Sequence, residues 1–360
     1  MARQSPSDVV LEQLTDLASS DFGARVIFAT DEWFAAAHLM LAPELPVFIA
    51  DNIEIVEIDT AFFTGNHAPR VSIQASRFSS DKSAWPAALQ TLSANAPVHE
   101  RPMGVAASAE ELALAEQLES DEWVDIVPFT ELGPGYEETR HNVFKVLENG
   151  PWTHLRINMF PDGGIARLRV YGNVLKDWTQ VPSSQLVDLV SAEHGGKVIA
   201  FNNAHYGHPK HLIAPGRSKN MAGGWQTARK TDRPAVLVAD KITGLLQVLE
   251  KDWCILKLGH AGVIHSVEVD TNHFKGNFPE SCAIYGVQYS EHPDEGVLLE
   301  SVEWTPILPR VKLEAHKQHH FSVESESVTL VPDGVNFVKL EMFPDGGISR
   351  LRLLGYKTDT

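Results

Sequence analysis

Apolar and polar residues alternate with a period of two ahead of a turn that occurs twice in the chain. Leu155, Ile157 and Met159 fall on one face of the first run, with His154, Arg156 and Asn158 on the other; Val338, Leu340 and Met342 repeat the apolar face. That period predicts strands with one buried and one wet side. Each run leads into Phe-Pro-Asp-Gly-Gly-Ile. The tridecamer from Phe160 to Gly172 returns from Phe343 to Gly355, 183 residues on, with ten of thirteen positions identical. A match of that length marks a duplicated domain. Proline presets the first turn residue, aspartate suits the next and glycine takes the left-handed conformation, so the chain is expected to reverse at Asp162 and Asp345. The outgoing strands turn Ala166, Leu168 and Val170 inward, matched by Ser349, Leu351 and Leu353. Each copy is therefore expected to end in one β-hairpin.

Further β-branched runs bounded by turn residues lie at 26–28, 54–58 and 70–74, and in the second half at 197–200, 264–269 and 283–287. Weaker pairs keep the same order: Glu57-Ile-Asp-Thr60 with Glu268-Val-Asp-Thr271, and Trp123 and Pro128 with Trp304 and Pro309. Too few long helical patterns occur to supply the crossovers of a parallel α/β fold. The expected fold is all-β, two tandem jelly-roll β-sandwich domains. Helical spacing of Val10, Leu11, Leu14, Leu17 and Ala18 predicts a short N-terminal helix. Residues 77–121 form an insertion in the first copy, with a helix capped at Ser108 and Glu111 completing a capping box. Conversely, residues 224–262 have no counterpart in the first copy, where Pro46 runs almost directly into Glu54. A sandwich without them should expose an edge or an apolar face. The expected division is an N-terminal helical segment 1–20, a first repeat 21–175 shortened near 47–54, a linker 176–190 and a second repeat 191–360.

Composition narrows the function. With 30 Lys and Arg against 47 Asp and Glu, the 360-residue chain carries a net charge of −17. That excludes a nucleic-acid surface or an anionic membrane surface as partner. It leaves room for a small anion held by a local arginine cluster. Cys254 and Cys282 sit in strand-like runs without zinc spacing, so buried free thiols in a reducing, cytoplasmic setting are expected. No secretory signal opens the chain, and no apolar run approaches the ~18 residues of a membrane span.

The segment Asp59-Thr-Ala-Phe-Phe-Thr-Gly-Asn-His-Ala-Pro-Arg70 resembles the first-repeat motif of the allantoicase family. Asn202-Asn-Ala-His-Tyr-Gly-His-Pro209, Ala214-Pro-Gly-Arg-Ser-Lys-Asn-Met221, Asp270-Thr-Asn-His-Phe-Lys-Gly-Asn-Phe-Pro279 and both Pro-Asp-Gly-Gly-Ile segments are similar to the same family. The insertion resembles that of fungal members. The resemblance implies tandem jelly rolls, a homo-oligomer, and hydrolysis of allantoate to ureidoglycolate and urea in purine breakdown. Two departures stand out. The first repeat lacks the Trp- and Arg-rich segment that the family carries there, and Gly223-Gly224-Trp225-Gln226-Thr227 stands where the family tends to have Asp-Gly-Trp-Glu-Thr.

Cleaving one C–N bond of such a ureido acid needs a proton for the departing nitrogen, a base for water and a cation for the carboxylate. Histidine suits the first two tasks and arginine the third. The catalytic candidates are His205, His208, Asp270 and His273. The substrate-binding candidates are Arg70, Arg217, Arg229, Asn66, Asn277 and Trp225. Each has a plainer reading. The histidines could cap turns, Asp270 and Asn277 could brace one, and Arg70 could form a surface ion pair. The pairs Arg167/Arg169 and Arg350/Arg352 point off the apolar face and read as solvated or at a subunit contact. His316, His319 and His320 cluster without tight ligand spacing, so no metal ligand is assigned and a divalent metal stays an open alternative. The rival to an enzyme is a decayed, non-catalytic relative acting in binding or assembly. A sugar-binding module is a third reading, carried by fold analogy alone.

Overall fold

The computed structural model describes residues 15–20, 23–32, 37–41, 52–79, 81–96, 105–231, 236–289 and 302–358. The chain forms two compact units, 1–175 and 176–360. Both are mostly antiparallel β-structure, as the alternating patterns require.

In the first unit, β1 (Thr15–Asp16) pairs with β9 (Arg167–Asn173), which pairs with β3 (Asn52–Asp59), which pairs with β7 (His141–Lys145). A second sheet orders β6 (Val124–Glu131), β4 (Arg70–Ser76) and β8 (His154–Phe160). The short β2 (Asp31–Glu32) pairs with β5 (Val105–Ala106). The insertion holds α1 (Ala87–Asn95) and α2 (Ala109–Glu116). Ser108 Oγ accepts from Glu111 N and Glu111 Oε2 from Ser108 N, the expected capping box.

In the second unit, β13 (Asp252–Asp270) is long enough to serve two layers. Its first half, Asp252–Lys257, lies between β17 (Val335–Phe343) and β11 (Lys197–Phe201). Its second half lies between β19 (Arg350–Lys357) and β16 (Gln318–Ser322). Outward from β17 come β14 (Ser281–Val287) and β15 (Thr305–Lys312), while β10 (Val187–Asp188) flanks β19. A separate pair joins β12 (Trp225–Gln226) to β18 (Gly347–Ile348).

Several expectations need correction. The Pro-Asp-Gly-Gly turns are not hairpins. β8 pairs with β4 and β9 with β3, so the turn carries the chain from one sheet to the other; in the second unit β17 and β19 flank opposite halves of β13. Gly346 has φ +143, and a Cβ there would lie 2.5 Å from Pro279 N, so this corner needs glycine. Of the expected N-terminal helix, residues 7–14 lie outside the described residues, and Thr15–Asp16 is a strand. Asp16 faces Tyr171 as Asp188 faces Leu354, so this segment is the first strand of its repeat. For the same reason residues 187–190 are not linker: Leu189 and Val190 are fully buried.

Residues 26–28 form no strand pairing with any described residue, although their counterpart β11 is a strand. β11 pairs with the first half of β13, the part missing from the first copy. A strand needs a neighbour for its amides, and none of the described residues supplies one here. The other consequence falls on β8. Its counterpart β17 pairs on both sides, but among the described residues β8 pairs only with β4. Val338, Leu340 and Met342 are fully buried, whereas Leu155 and Ile157 are half-buried and Met159 is 39% exposed. Among the described residues, then, β8 has one edge without a strand partner and a partly exposed apolar face.

Candidate functional site

At one end of the second repeat five loop segments meet. The pair β12–β18 joins residues 225–228 to 346–348, and residues 270–279 bond to the same turn through Gly347 N to Asn277 O (2.7 Å) and Ser349 N to Asp270 O (2.7 Å). Residues 203–208 lie along 225–228, with His205 N and Tyr206 N both donating to Gln226 O. A Cβ on Gly207 would sit 2.1 Å from Gly224 O, so the approach depends on that glycine. Residues 212–224 complete the group.

Arg217, from that last loop, is locked to the end of β13. Its Nη1 donates to Glu268 and to Asp270 Oδ2 (3.0 Å), and its Nη2 to Glu268 Oε2 (3.0 Å). Burial pulls the Glu268 carboxyl upward, but hydrogen bonding and the charge of Arg217 outweigh it and hold it below the usual carboxylate range. The Glu268 bond in turn raises the Arg217 guanidinium further. Asp270 is fully buried, and its Oδ1 accepts from Asn272 N (2.7 Å). It therefore anchors Arg217 and the turn and has no surface to offer a substrate. Arg217, with its bidentate bond to Glu268 and a third bond to Asp270, is already committed as well.

His273 is the residue this arrangement aims. It has φ +72, a conformation shared by Phe62 at the matching place, so the turn is a duplicated feature. What differs is the side chain. Phe62 is 91% exposed, while the His273 ring places Nε2 2.9 Å from the carbonyl of Ser218. A carbonyl only accepts, so Nε2 carries the proton and Nδ1 is left as a base in the neutral ring. The His273 amide donates to His316 Nδ1 (2.7 Å). Asn277 Nδ2 reaches Met221 Sδ (3.8 Å) from the same loop.

The other candidates fall into place separately. His205 is exposed, its ring edge-on to Tyr206 at 4.3 Å. Arg229 is exposed and makes no ion pair to a described residue. His208 is an N-cap: its Nδ1 accepts from Lys210 N (3.0 Å) at the head of a 3₁₀ turn, Pro209–Ile213. Burial, with Lys210 and His211 adding to it, pushes its imidazole down to about 3, so it stays neutral and structural. Trp225 has no exposed surface, and its Nε1 donates to Asn203 O (2.9 Å). It braces the loops from within. In the first unit Arg70 is an exposed ion pair with Glu131 (2.7 Å), its guanidinium 5.6 Å from the Phe129 ring centre. Asn66 is exposed there, and its carbonyl accepts from Gly164 N (2.8 Å). Asp345 accepts from Lys230 N (2.8 Å), a duty beyond its turn.

Arg350 and Arg352 are not solvated. They point off the strand core into the backbone of the 212–224 loop, which covers them. Arg169, likewise buried, pairs with Asp16 at 3.3 Å. Sequence reasoning also missed Glu268, although its repetition as Glu57 was visible. It missed His211, whose Nδ1 lies 3.0 Å from Gly224 O and whose imidazole burial pushes to about 4.

Among the described residues, no three His, Cys, Asp or Glu side chains come together to hold a metal ion. His319 is bound on both nitrogens to backbone, Nδ1 to Val269 O (3.0 Å) and Nε2 from Glu314 N (2.8 Å). A recess of about 440 Å³ in the first unit, lined by Arg25, Ser83, Trp85 and Gln90, contains none of the candidate groups. Cys254 and Cys282 are buried free thiols, both pushed up by burial. No helix of the described residues is long and apolar enough to cross a membrane.

Two tandem β-repeats, with histidines and arginines gathered on the loops of the second, define a tandem β-repeat protein with a candidate site on one copy. The family model for the allantoicase repeat matches residues 48–175 and 187–358, and the chain belongs to the allantoicase family. A Pseudomonas fluorescens protein described as "Probable allantoicase" is 32% identical over 380 residues, covering 96% of this chain and 97% of its own. A Pseudomonas paraeruginosa protein of the same description is 33% identical over 94% of this chain and 95% of its own. The crystal structure of allantoicase from Saccharomyces cerevisiae superposes with a TM-score of 0.67 at 26% identity, covering 99% of both chains. Matches of this extent do not favour the non-catalytic rival or the sugar-binding module.

Proposed function

We propose that this protein hydrolyses allantoate to ureidoglycolate and urea in purine breakdown, at the loop end of the second repeat. The observation that carries the reading is the family match over both halves, joined by an imidazole whose tautomer is fixed on the same loops. In this mechanism His273 Nδ1 takes a proton from the attacking water. His205, exposed and free to move, returns a proton to the departing urea nitrogen. Arg229 holds the substrate carboxylate. Asp270, Glu268 and Arg217 fix the floor beneath them. A homo-oligomer in the cytoplasm fits the family and the two buried thiols.

The experiment is direct. Purified protein is incubated with allantoate and urea is assayed, for the wild type and for His273→Asn. The wild type is expected to release urea, and His273→Asn to lower kcat by about 10²–10⁴-fold. No urea above the blank from folded wild type would refute the activity, and an undiminished His273→Asn would refute the base.

A further inference from the structure

Two arginines that the chemistry does not touch converge on the backbone beneath His273. Arg350, buried, donates from Nε to Gly216 O (3.2 Å) and from Nη1 to Gly223 O (2.6 Å). Arg352 donates from Nη2 to Gly216 O (2.7 Å) and Ala214 O (2.6 Å), and from Nη1 to Leu212 O (3.3 Å). His211 Nδ1 reaches Gly224 O (3.0 Å). Carbonyls at both ends of residues 217–222 are thus held, and with the Arg217 lock to Glu268 and Asp270 they help set where the Ser218 carbonyl stands. Asp188 lies behind, 3.5 Å from Arg352 Nε, and its Oδ1 accepts from Leu353 N (2.9 Å). Charges alternate from Asp188 through Arg352 and Glu268 to Arg217 and Asp270.

We propose that Arg350 and Arg352 are positioning residues: by clamping the two ends of the 217–222 loop they hold the Ser218 carbonyl against His273 Nε2 and so keep Nδ1 as the free base. The proposal rests on the reading of His273 given above and deepens it. An arginine fork suits the place because its donors are fixed in one plane and spread widely enough to hold separate carbonyls at once, whereas an ammonium's three donors sit on one atom at the end of a flexible stem. The carbonyls also need little else from the side chains: a carbonyl partner fixes a histidine tautomer without changing its net charge.

The test uses Arg350→Lys and Arg352→Lys in the full chain, with Arg167→Lys, the first-repeat counterpart of Arg350, as control. Three quantities are measured: the nitrogen chemical shifts of the His273 ring, the rate of tryptic cutting after Arg217 and Lys219, and the split of kcat from KM with allantoate. Loosening the loop is expected to mix the His273 tautomers, to speed cutting about tenfold, and to lower kcat about tenfold with KM little changed. Arg167→Lys should move none of these. Lysine variants that lower the melting temperature yet leave the tautomer and the cutting rate unmoved would reduce both arginines to structural staples and overturn the proposal. Should either variant fail to fold, Asp188→Asn frees Arg352 more gently and must shift the same readouts the same way. If the wild type released no urea, the activity reading would fall, while the ring shifts and the cutting rate would still decide the clamp.

Discussion

Asn142 and His319 occupy the same place in the two repeats and make the same pair of bonds. Asn142 Oδ1 accepts from Gly133 N (2.7 Å) and its Nδ2 donates to Ile58 O (3.0 Å); His319 Nε2 accepts from Glu314 N (2.8 Å) and its Nδ1 donates to Val269 O (3.0 Å). Two unlike side chains thus tie the same loop to the same strand. Such a role requires His319 to be neutral, and burial, the first cause, draws its imidazole down. His319→Asn should keep stability within about 1 kcal/mol, whereas His319→Ala, orphaning two backbone groups, should lose about 1–3 kcal/mol. Urea melts of the two variants measure this; equal losses would remove the equivalence.

His208 and His211 carry a pH dependence. Their folded values, about 3 and about 4, lie below the ordinary histidine value, so the unfolded chain binds protons that the fold refuses. Stability from both is present above about pH 6.5 and is lost as pH falls, at roughly 1 kcal/mol per pH unit for each. Asparagine caps helical turns as well as histidine does here. His208→Asn should therefore melt like the wild type at pH 7 and better than it at pH 5. Parallel melting curves at both pH values would count against this account.

Phe343 and Phe160 are matched residues in unlike surroundings. Phe343 is 8% exposed, with the Arg310 guanidinium 4.0 Å from its ring centre and Val248 and Leu246 packed over it. Phe160 is 37% exposed, its ring 4.9 Å from that of Phe129, itself 59% exposed. Phe343→Ala is expected to cost about 3–5 kcal/mol and Phe160→Ala about 1–2. Chemical denaturation of each variant checks the ratio; comparable costs would mean the first-repeat face is covered in solution.

Arg229→Met should raise KM for allantoate about tenfold or more with kcat within about twofold, the mark of a group that binds ground and transition states alike. Arg70→Met, which removes an exposed pair in the other unit, should change neither. A fall in kcat alone for Arg229→Met would move that residue from holding the carboxylate to assisting bond cleavage.

Much of this was legible in the sequence, and what was not has a physical reason. The alternation of Leu155, Ile157 and Met159 placed a strand correctly, because period two is local. The hairpin at Asp162 was misread because turn residues say that the chain reverses, not which sheet receives it. Residues 26–28 have strand chemistry but no strand partner among the described residues, and pairing is not a local property. Arg350 and Arg352 looked solvated because alternation shows only that they leave one core; that a loop covers them is tertiary. Asp270, Arg217 and His273 do come together. Yet sequence could not tell the half-buried histidine from the aspartate sealed near it, nor show that His208 caps a turn.

Among the described residues, the outer rim of β8 has no strand beside it, while its counterpart β17 is paired on both sides by its own chain. Amides and carbonyls left along an outermost strand are a template for any extended polypeptide that drifts by. Storage at high concentration should therefore be limited by sticking through the first half, and a lysine or proline set into that rim should keep the molecules apart.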